Sequence, residues 1–411
     1  MKALISVLTS CLVSFSVASS ASDNIPKTTN IGVEVAGNDY VGDWVGLKAF
    51  DSQGLNIEGL TNVFDEQPID KINKEKLSSA ADFLTEGHKR LLELNPTHYL
   101  PVYNSLRTVE FPDKVVRDLS NDPKSTVFPF LVPSEGKHYI VNHMNRFRGG
   151  ESFSREHSQV AITERGRFRT DFKDEILFKP DFANNLRGYY RQTVTSGKYA
   201  GTILLLHEPF DSSISNRVSW LITPRDTNPK KEEVTGDHPA PFTFGLRTRD
   251  SYDMYNGSDD TYSYKLLGKE TKLIPYNSVK FLKKGPLDRF FMQDHLNPEY
   301  TRYEYHRVWV VEATLNEGKK NLYDKRVFYI DEDSYIIVAV DYYHDGRLWR
   351  LGEGHMVFTP HNQVAFHAAE VVYDFDEKDY VVTSLIADTE GFDHSFSKPA
   401  SYFSPSELMK R

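Results

Sequence analysis

Apolar and polar positions along the chain follow two rhythms. Between Lys71 and Leu94 apolar residues recur at helical spacing, with Ile72, Leu77, Ala80, Ala81 and Leu84 followed by His88, Leu91 and Leu92, which predicts amphipathic helices. Thr85 stands where a cap would start the second of them, and Asn95-Pro96 where it would stop. Prolines punctuate the stretch from Pro101 to Pro133, which reads as loop with short extended pieces. From about Tyr139 onward the period becomes two and the chain reads as strands. Turns are expected at Glu164-Arg165-Gly166, Ser196-Gly197, Asn316-Glu317-Gly318, Asp331-Glu332-Asp333, Asp345-Gly346 and Asp376-Glu377-Lys378-Asp379, the fifth being a strong two-residue hairpin signal. Strand after strand with tight turns implies an antiparallel meander rather than a parallel α/β sheet.

The faces of those strands carry more information than their number. On His306–Leu315 one side shows Arg307, Trp309, Val311, Ala313 and Leu315, and the other His306, Val308, Val310, Glu312 and Thr314. On Ser334–His344 both sides are apolar at mid-length: Ile336, Val338, Val340 and Tyr342 against Tyr335, Ile337, Ala339 and Tyr343. A sheet wetted on one side alternates apolar with polar. Both faces are therefore expected to be covered, one of them by helix 73–94 and the other by the hollow of a curled sheet that side chains or a greasy ligand must fill.

Composition narrows the class. The 411 residues hold 39% apolar and 26% charged positions, a globular mixture, and 53 aromatics are unusually many for that length. The net charge of −9 argues against a nucleic-acid binder. Residues 1–21 read as a signal peptide: Met1-Lys2, an uncharged apolar stretch, then a small-residue exit near Ala21. Leu8-Thr9-Ser10-Cys11 also resembles a lipoprotein processing box. Cys11 is the only cysteine, so a cleaved chain has no disulfide, thiolate metal site or cysteine nucleophile. The organisation expected is 1–21 signal peptide, 22–133 an N-terminal arm and helical segment, and 134–411 a β domain, with 22–411 forming one unit.

Chemistry-bearing motifs are scarce. There is no Gly-x-Ser-x-Gly elbow, His-Glu-x-x-His, phosphate-binding loop or dinucleotide fingerprint, and no metal or cofactor is expected. Asp331-Glu332-Asp333 reads as a solvated turn rather than a calcium loop. Strand alternation puts Arg302, Glu304 and His306 on one face. Glu304 beside His306 would suit general-base work, whereas a buried ladder with Arg302 and His306 both bonding Glu304 is the structural alternative. Asn142-His143 with Arg146 and Arg148 offers a similar choice, between an arginine-lined anion site and a solvated strand face. Trp220, Trp309 and Trp349 fit either a ligand wall or core packing.

One block makes a resemblance usable. Arg302-Tyr303-Glu304-Tyr305-His306-Arg307-Val308-Trp309-Val310-Val311-Glu312-Ala313-Thr314-Leu315 resembles the hallmark of a family of Gram-negative exported proteins catalogued as a domain of unknown function and labelled outer-membrane lipoprotein-sorting-like. Further matches follow in chain order: Gly37-Asn38, Asn142-His143-x-x-Arg146-x-Arg148-Gly149, Asp250-x-x-Asp253-Met254-Tyr255-Asn256-Gly257 and Pro275-Tyr276-Asn277. His295-Leu296-Asn297-Pro298, Tyr329-Ile330-Asp331-Glu332-Asp333-Ser334 and Leu348-Trp349-Arg350 complete them. Thr223-Pro224-Arg225-Asp226-Thr227-Asn228-Pro229-Lys230-Lys231 departs from the arginine-rich run that such proteins carry there.

The resemblance implies a mainly β (α+β) fold similar to periplasmic lipoprotein carriers, a strongly curved antiparallel sheet forming an incomplete barrel with helices on its concave side. It also implies a periplasmic location, in contact with the outer membrane in one version, beside an inner-membrane exporter of the resistance-nodulation-division type and an outer-membrane protein. Together these readings give a carrier or chaperone for a lipid or other hydrophobic molecule, with Trp220, Trp309, Val311, Tyr323, Tyr329, Val338 and Trp349 as candidate ligand-lining residues. An enzyme acting on a hydrophobic substrate through Arg302, Glu304 and His306, and an envelope scaffold without ligand, are the alternatives.

Overall fold

The computed structural model describes residues 66–107 and 132–410, apart from 182, 210–214, 216, 234–235, 237 and 360–363, together with 43–44 and Phe130. The signal-peptide reading, Cys11 and most of the N-terminal arm lie outside the described residues. Within them the chain forms strands β1 (Asp43–Trp44), β2 (Asp70–Asn73), β3 (Tyr99–Val102), β4 (Leu106–Arg107), β5 (Ser152–Thr163), β6 (Gly166–Asp181), β7 (Leu186–Val194), β8 (Ile203–Pro209) and β9 (Val218–Ile222). They continue as β10 (Lys230–Glu233), β11 (Tyr262–Pro275), β12 (Tyr303–Leu315), β13 (Lys325–Asp331), β14 (Ile337–His344), β15 (Arg347–Thr359), β16 (Val364–Asp374), β17 (Tyr380–Leu385) and β18 (Phe392–Asp393). Two helices longer than a turn or two accompany them, α1 (Glu86–Leu94) and α2 (Gly136–Asn145).

Two antiparallel meanders make one large sheet. The first runs β5 to β10 and the second β11 to β17; they join where β17 lies beside β5, with Tyr380 opposite Ile162. The order is β10-β9-β8-β7-β6-β5-β17-β16-β15-β14-β13-β12, with β11 along the other edge of β12. Past β12 the series continues through β3, with Tyr303 opposite Val102, to β2; among the described residues β10 pairs with neither β11 nor β2, so the sheet is open. It is also curved. Ladder irregularities at Leu266/Gly268, Tyr342/Tyr343 and His355/Met356 add local twist and bend, and Gly268 supplies the positive φ of 137° that the first requires. The bend brings β11 back into contact with β14 and β15, three and four strands away.

Hydrophobic side chains cover both faces, as the two-sided apolar strands require. On one face Val311, Phe328 and Val340 stand side by side in register and pack with Tyr139, Ile140 and Met144 of α2. The neighbouring residues Asp341 and Leu351 point the other way and meet α1. At the β6–β9 end that second face is covered by the C-terminal segment, where Phe403 and Leu408 pack on Leu177, Leu205 and Ile222.

The segment starting at Tyr139 differs from the strand expected there: it is helical. Its buried positions are Gly136, Tyr139, Ile140, His143 and Met144, a clean helical spacing, together with Asn142. The pattern is hidden in the sequence because the buried face carries a glycine, a histidine and an asparagine. Likewise Ile72 belongs to strand β2, paired with Leu100, rather than to a helix.

α1 begins where expected, the Thr85 hydroxyl accepting from His88 N–H at 3.1 Å, and ends at Leu94. A carboxylate from the sheet completes its N-terminus: Asp341 accepts from Glu86 N–H at 3.1 Å and Gly87 N–H at 2.9 Å, where the helix dipole favours an anion. That approach explains a glycine inside a helix. A Cβ on Gly87 would lie 2.4 Å from Asp341 Oδ1 and 2.7 Å from Leu351 Cδ1. Gly87→Ala should therefore destabilise by about 1–3 kcal/mol despite alanine's better helix propensity. Urea unfolding checks this, and a variant as stable as the parent would mean α1 does not seat on Asp341.

Candidate functional site

The first meander builds a cleft from period-two rows. β5 contributes Arg155, His157 and Gln159; β6 contributes Phe172, Ile176 and Phe178; β7 contributes Tyr190 and Gln192; β8 contributes Leu204, Leu206 and Glu208. Register aligns them across the sheet, with Ile176 opposite Tyr190 and Tyr190 opposite Leu206. The segment from Ala240 to Asn256 covers the rows, with Pro241, Arg247 and Tyr252 facing in. The enclosed volume is about 130 Å³. A chamber of about 30 Å³ adjoins it and shares Arg148, Arg155 and Tyr252.

The floor is apolar and the rim is basic. Arg155 Nη2 donates to Asp174 Oδ2 at 2.9 Å, and His157 Nε2 lies 3.0 Å from the same oxygen. Burial pushes the Asp174 carboxyl up, but His157 and Arg155 outweigh it and hold the group well below the usual carboxylate range. Arg247 Nη2 lies 3.3 Å from Glu370 Oε2. Arg146 grips Asp253 with both terminal nitrogens, at 2.7 and 2.5 Å, and Arg148 Nη2 reaches Asp253 Oδ2 at 2.7 Å. Arg217 Nε donates to Glu208 Oε2 at 2.8 Å, while Arg187 Nη2 donates to Asn256 Oδ1 at 2.9 Å and stays 3.6 Å from Glu208.

Arg146 and Arg148 therefore do not lie on a solvated strand face, the alternative weighed above. They follow α2 and are drawn inward by Asp253, and His143 Nε2 fixes the Asp253 carbonyl at 2.8 Å. Sequence reasoning missed Arg155, His157, Arg187, Arg217 and the floor residues. The available signal was the alternation itself, in which Arg155, His157, Asp174 and Glu208 interrupt rows of apolar residues sharing a face.

The candidate lining residues lie elsewhere. Trp309, Val311, Tyr323 and Trp349 belong to the cluster under α2, where Tyr139 and Trp309 rings are 4.7 Å apart. Tyr329 and Val338 belong to a second cluster with Val308, Val310 and Met356. Trp220 packs with the C-terminal segment, its partner Leu205 lying on the face opposite the cleft row of Leu204 and Leu206. None of the seven lines the cleft.

Arg302, Glu304 and His306 do come together, and they are sealed. Glu304 Oε1 accepts from Arg302 Nε at 2.7 Å and Asn277 Nδ2 at 3.0 Å. Glu304 Oε2 accepts from Leu106 N–H at 2.7 Å and lies 3.0 Å from His306 Nε2. The His306 ring stacks on Tyr276 with centroids 3.8 Å apart. Every lone-pair direction of the carboxylate is taken, which is the ladder arrangement. Asp331, expected in a solvated turn, is fully buried, with Ser334 N–H and Oγ at 2.8 and 2.6 Å. Its carboxyl is pushed up to about 7 by burial and then by Asp333.

Fold and cleft together define an open, curved antiparallel-sheet protein with a small basic-rimmed groove on one face. The chain belongs to the family described as protein of unknown function DUF1329, whose model matches residues 71–409. An uncharacterized protein of Pseudomonas aeruginosa is 32% identical over 93% of this chain and 91% of its own length. Among solved structures, a DUF1329 family protein from Desulfovibrio piger is 13% identical, covers 66% of this chain and 97% of its own, and has a TM-score of 0.47. A LolA superfamily protein from Nitrosomonas europaea is 12% identical, covers 66% and 98%, and has a TM-score of 0.39. Among the described residues no helix is long and apolar enough to cross a membrane.

Proposed function

We propose that the protein is a periplasmic carrier that holds the apolar part of a hydrophobic molecule in the cleft between β5–β8 and the segment 240–256. The observation that supports this best is an aromatic track from solvent into the cleft. Tyr199, half exposed, has its ring 5.3 Å from Phe242, which is 6.0 Å from Phe172 on the cleft wall. Beside it the exposed rings of Phe168 and Phe244 lie 4.6 Å apart. Phe242 and Phe244 have φ of 62° and 54°, a costly backbone for bulky residues, which suits a segment held in place to present them.

The enclosed space is below the roughly 300 Å³ at which small-molecule sites begin and close to what a single ring occupies. The cleft as it stands takes a short apolar group, and a long acyl chain needs the 240–256 cover to move outward. An environment-sensitive fluorescent fatty acid titrated into the protein should be taken up. Leu204→Trp or Leu206→Trp, which fill the floor, should abolish uptake while near-ultraviolet circular dichroism stays native. Uptake unchanged by both fillings would overturn the reading.

The enzymatic alternative through Glu304 and His306 has less support, because the cleft wall lacks both residues and their own surroundings are closed. An inner-membrane exporter and an outer-membrane protein as partners belong to the same proposal. Crosslinking in the intact envelope followed by recovery of an exporter of that type is the result expected for a carrier that exchanges cargo there.

A further inference from the structure

Among the described residues, six arginines at the cleft and its adjoining chamber meet four carboxylates. Asp174 serves Arg155 and Glu370 serves Arg247, but Asp253 is shared by Arg146 and Arg148, and Glu208 by Arg187 and Arg217. Among the described residues two guanidinium groups are thus left without a carboxylate of their own; Arg148, Arg187 and Arg217 line the cleft, and Arg146 lines the adjoining chamber. Their donors are not used up: Nε of Arg148 and of Arg187 are buried with no hydrogen-bond partner, as is Nε of Arg155 at 7% exposure. Buried donors without acceptors are costly, and six clustered guanidinium groups repel one another. Burial lowers the Arg187 pKa to about 10, with Glu208 opposing and Arg148 and Arg217 adding to the fall. Arg148 also sits over the Phe178 ring, 5.4 Å from its centroid, where the basic rim meets the apolar floor.

We propose that the cleft is selective for amphiphiles with one anionic headgroup, a carboxylate or a phosphate, received by Arg148, Arg187 and Arg217 while the apolar part lies on Ile176, Leu204 and Leu206. This rests on the carrier reading above and names its cargo class. A planar guanidinium pair presents the fork that such oxyanions accept. A neutral or cationic headgroup would leave the surplus charge unanswered. Positive charge supplies the preference and the greasy floor supplies the affinity, so the two contributions can be measured separately.

The test is calorimetric titration of the purified full chain with decanoate, monodecyl phosphate, decanol and decyltrimethylammonium, and with acetate and inorganic phosphate as tail-free anions. Decanoate and monodecyl phosphate should bind about tenfold or more tighter than decanol, with the cationic amphiphile weakest and the tail-free anions weaker than either anionic amphiphile. Arg187→Gln should reduce the preference for decanoate over decanol several-fold. Arg187→Lys, which keeps the charge, should retain most of the preference and guards against a folding defect. Decanol binding as tightly as decanoate, or an Arg187→Gln variant with the full preference, would overturn the headgroup assignment and leave the carrier reading intact. Phosphate or acetate binding as tightly as the amphiphiles would make this a free-anion site and overturn it too. No binding of any amphiphile would sink both readings together.

Discussion

Arg326→Met is expected to destabilise the protein by about 3–5 kcal/mol, the cost of breaking a buried ion pair from one side. Arg326 has no exposed surface, and its Nη2 donates to Asp250 Oδ2 at 2.6 Å and to Asn321 Oδ1 at 3.1 Å. Its guanidinium carbon lies 4.9–5.6 Å from the ring centroids of Tyr255, Tyr262, Tyr323 and Tyr342. Burial alone would lower its pKa, but Asp250 and the surrounding tyrosines raise it well above the ordinary value, so the charge is held rather than lost. Methionine fills similar volume but leaves Asp250, at 1% exposure, without its cation. Adding Asp250→Asn should recover a large part of the loss, since the remaining amide can be satisfied by Thr248 and Asn321, which already lie at 2.6 and 2.9 Å. Urea denaturation of the two single variants and the double variant gives the coupling energy directly. A single-variant loss below about 1 kcal/mol would show that the aromatic cage stands without its cation.

This cage also explains why much of the candidate site was hard to read. Tyr323 looked like a residue free to meet a ligand, yet a cation from β13 already occupies the space beside its ring, and no local pattern announces that Asp250 and Arg326 will meet from 76 residues apart. The sheet was far easier. Asp345-Gly346 marks the β14–β15 hairpin and Asp376–Asp379 falls between β16 and β17, because turn chemistry is local. The shared face of Arg302, Glu304 and His306 followed from strand period alone. Legibility failed where a buried surface was built from polar residues: α2, whose inward face carries His143 and Asn142, and the cleft, whose rows alternate greasy side chains with arginines that find their carboxylates on distant strands. Several segments that carried the family resemblance meet in those buried ionic sites. Arg146 and Arg148 meet Asp253, and Asn277 meets Glu304.

Glu304→Gln should cost about 3–5 kcal/mol near neutral pH, since it removes the carboxylate that joins Arg302 to His306 inside a sealed site and leaves Arg302 with Glu66 alone, at 2.8 Å. Glutamine keeps the shape but offers one acceptor oxygen where two now receive Arg302, Asn277 and Leu106 N–H, and it points an amide N–H₂ at one of those donors. The effect should depend on pH in a definite sense. Burial pushes the Glu304 carboxyl up, but Arg302 and His306 overcome this and hold it below its ordinary value. A carboxylate with a depressed folded pKa stabilises the protein above the unfolded pKa of about 4.3 and stops doing so as pH falls through the folded value. The parent should therefore lose stability through this group below about pH 4, whereas Glu304→Gln has no such group to titrate and the gap between them should narrow there. Thermal unfolding of both proteins from neutral pH down to about pH 3 measures it. A constant gap across that range would mean Glu304 is not the ionised centre of the ladder, and a variant of parental stability would reopen a catalytic role for Glu304 and His306.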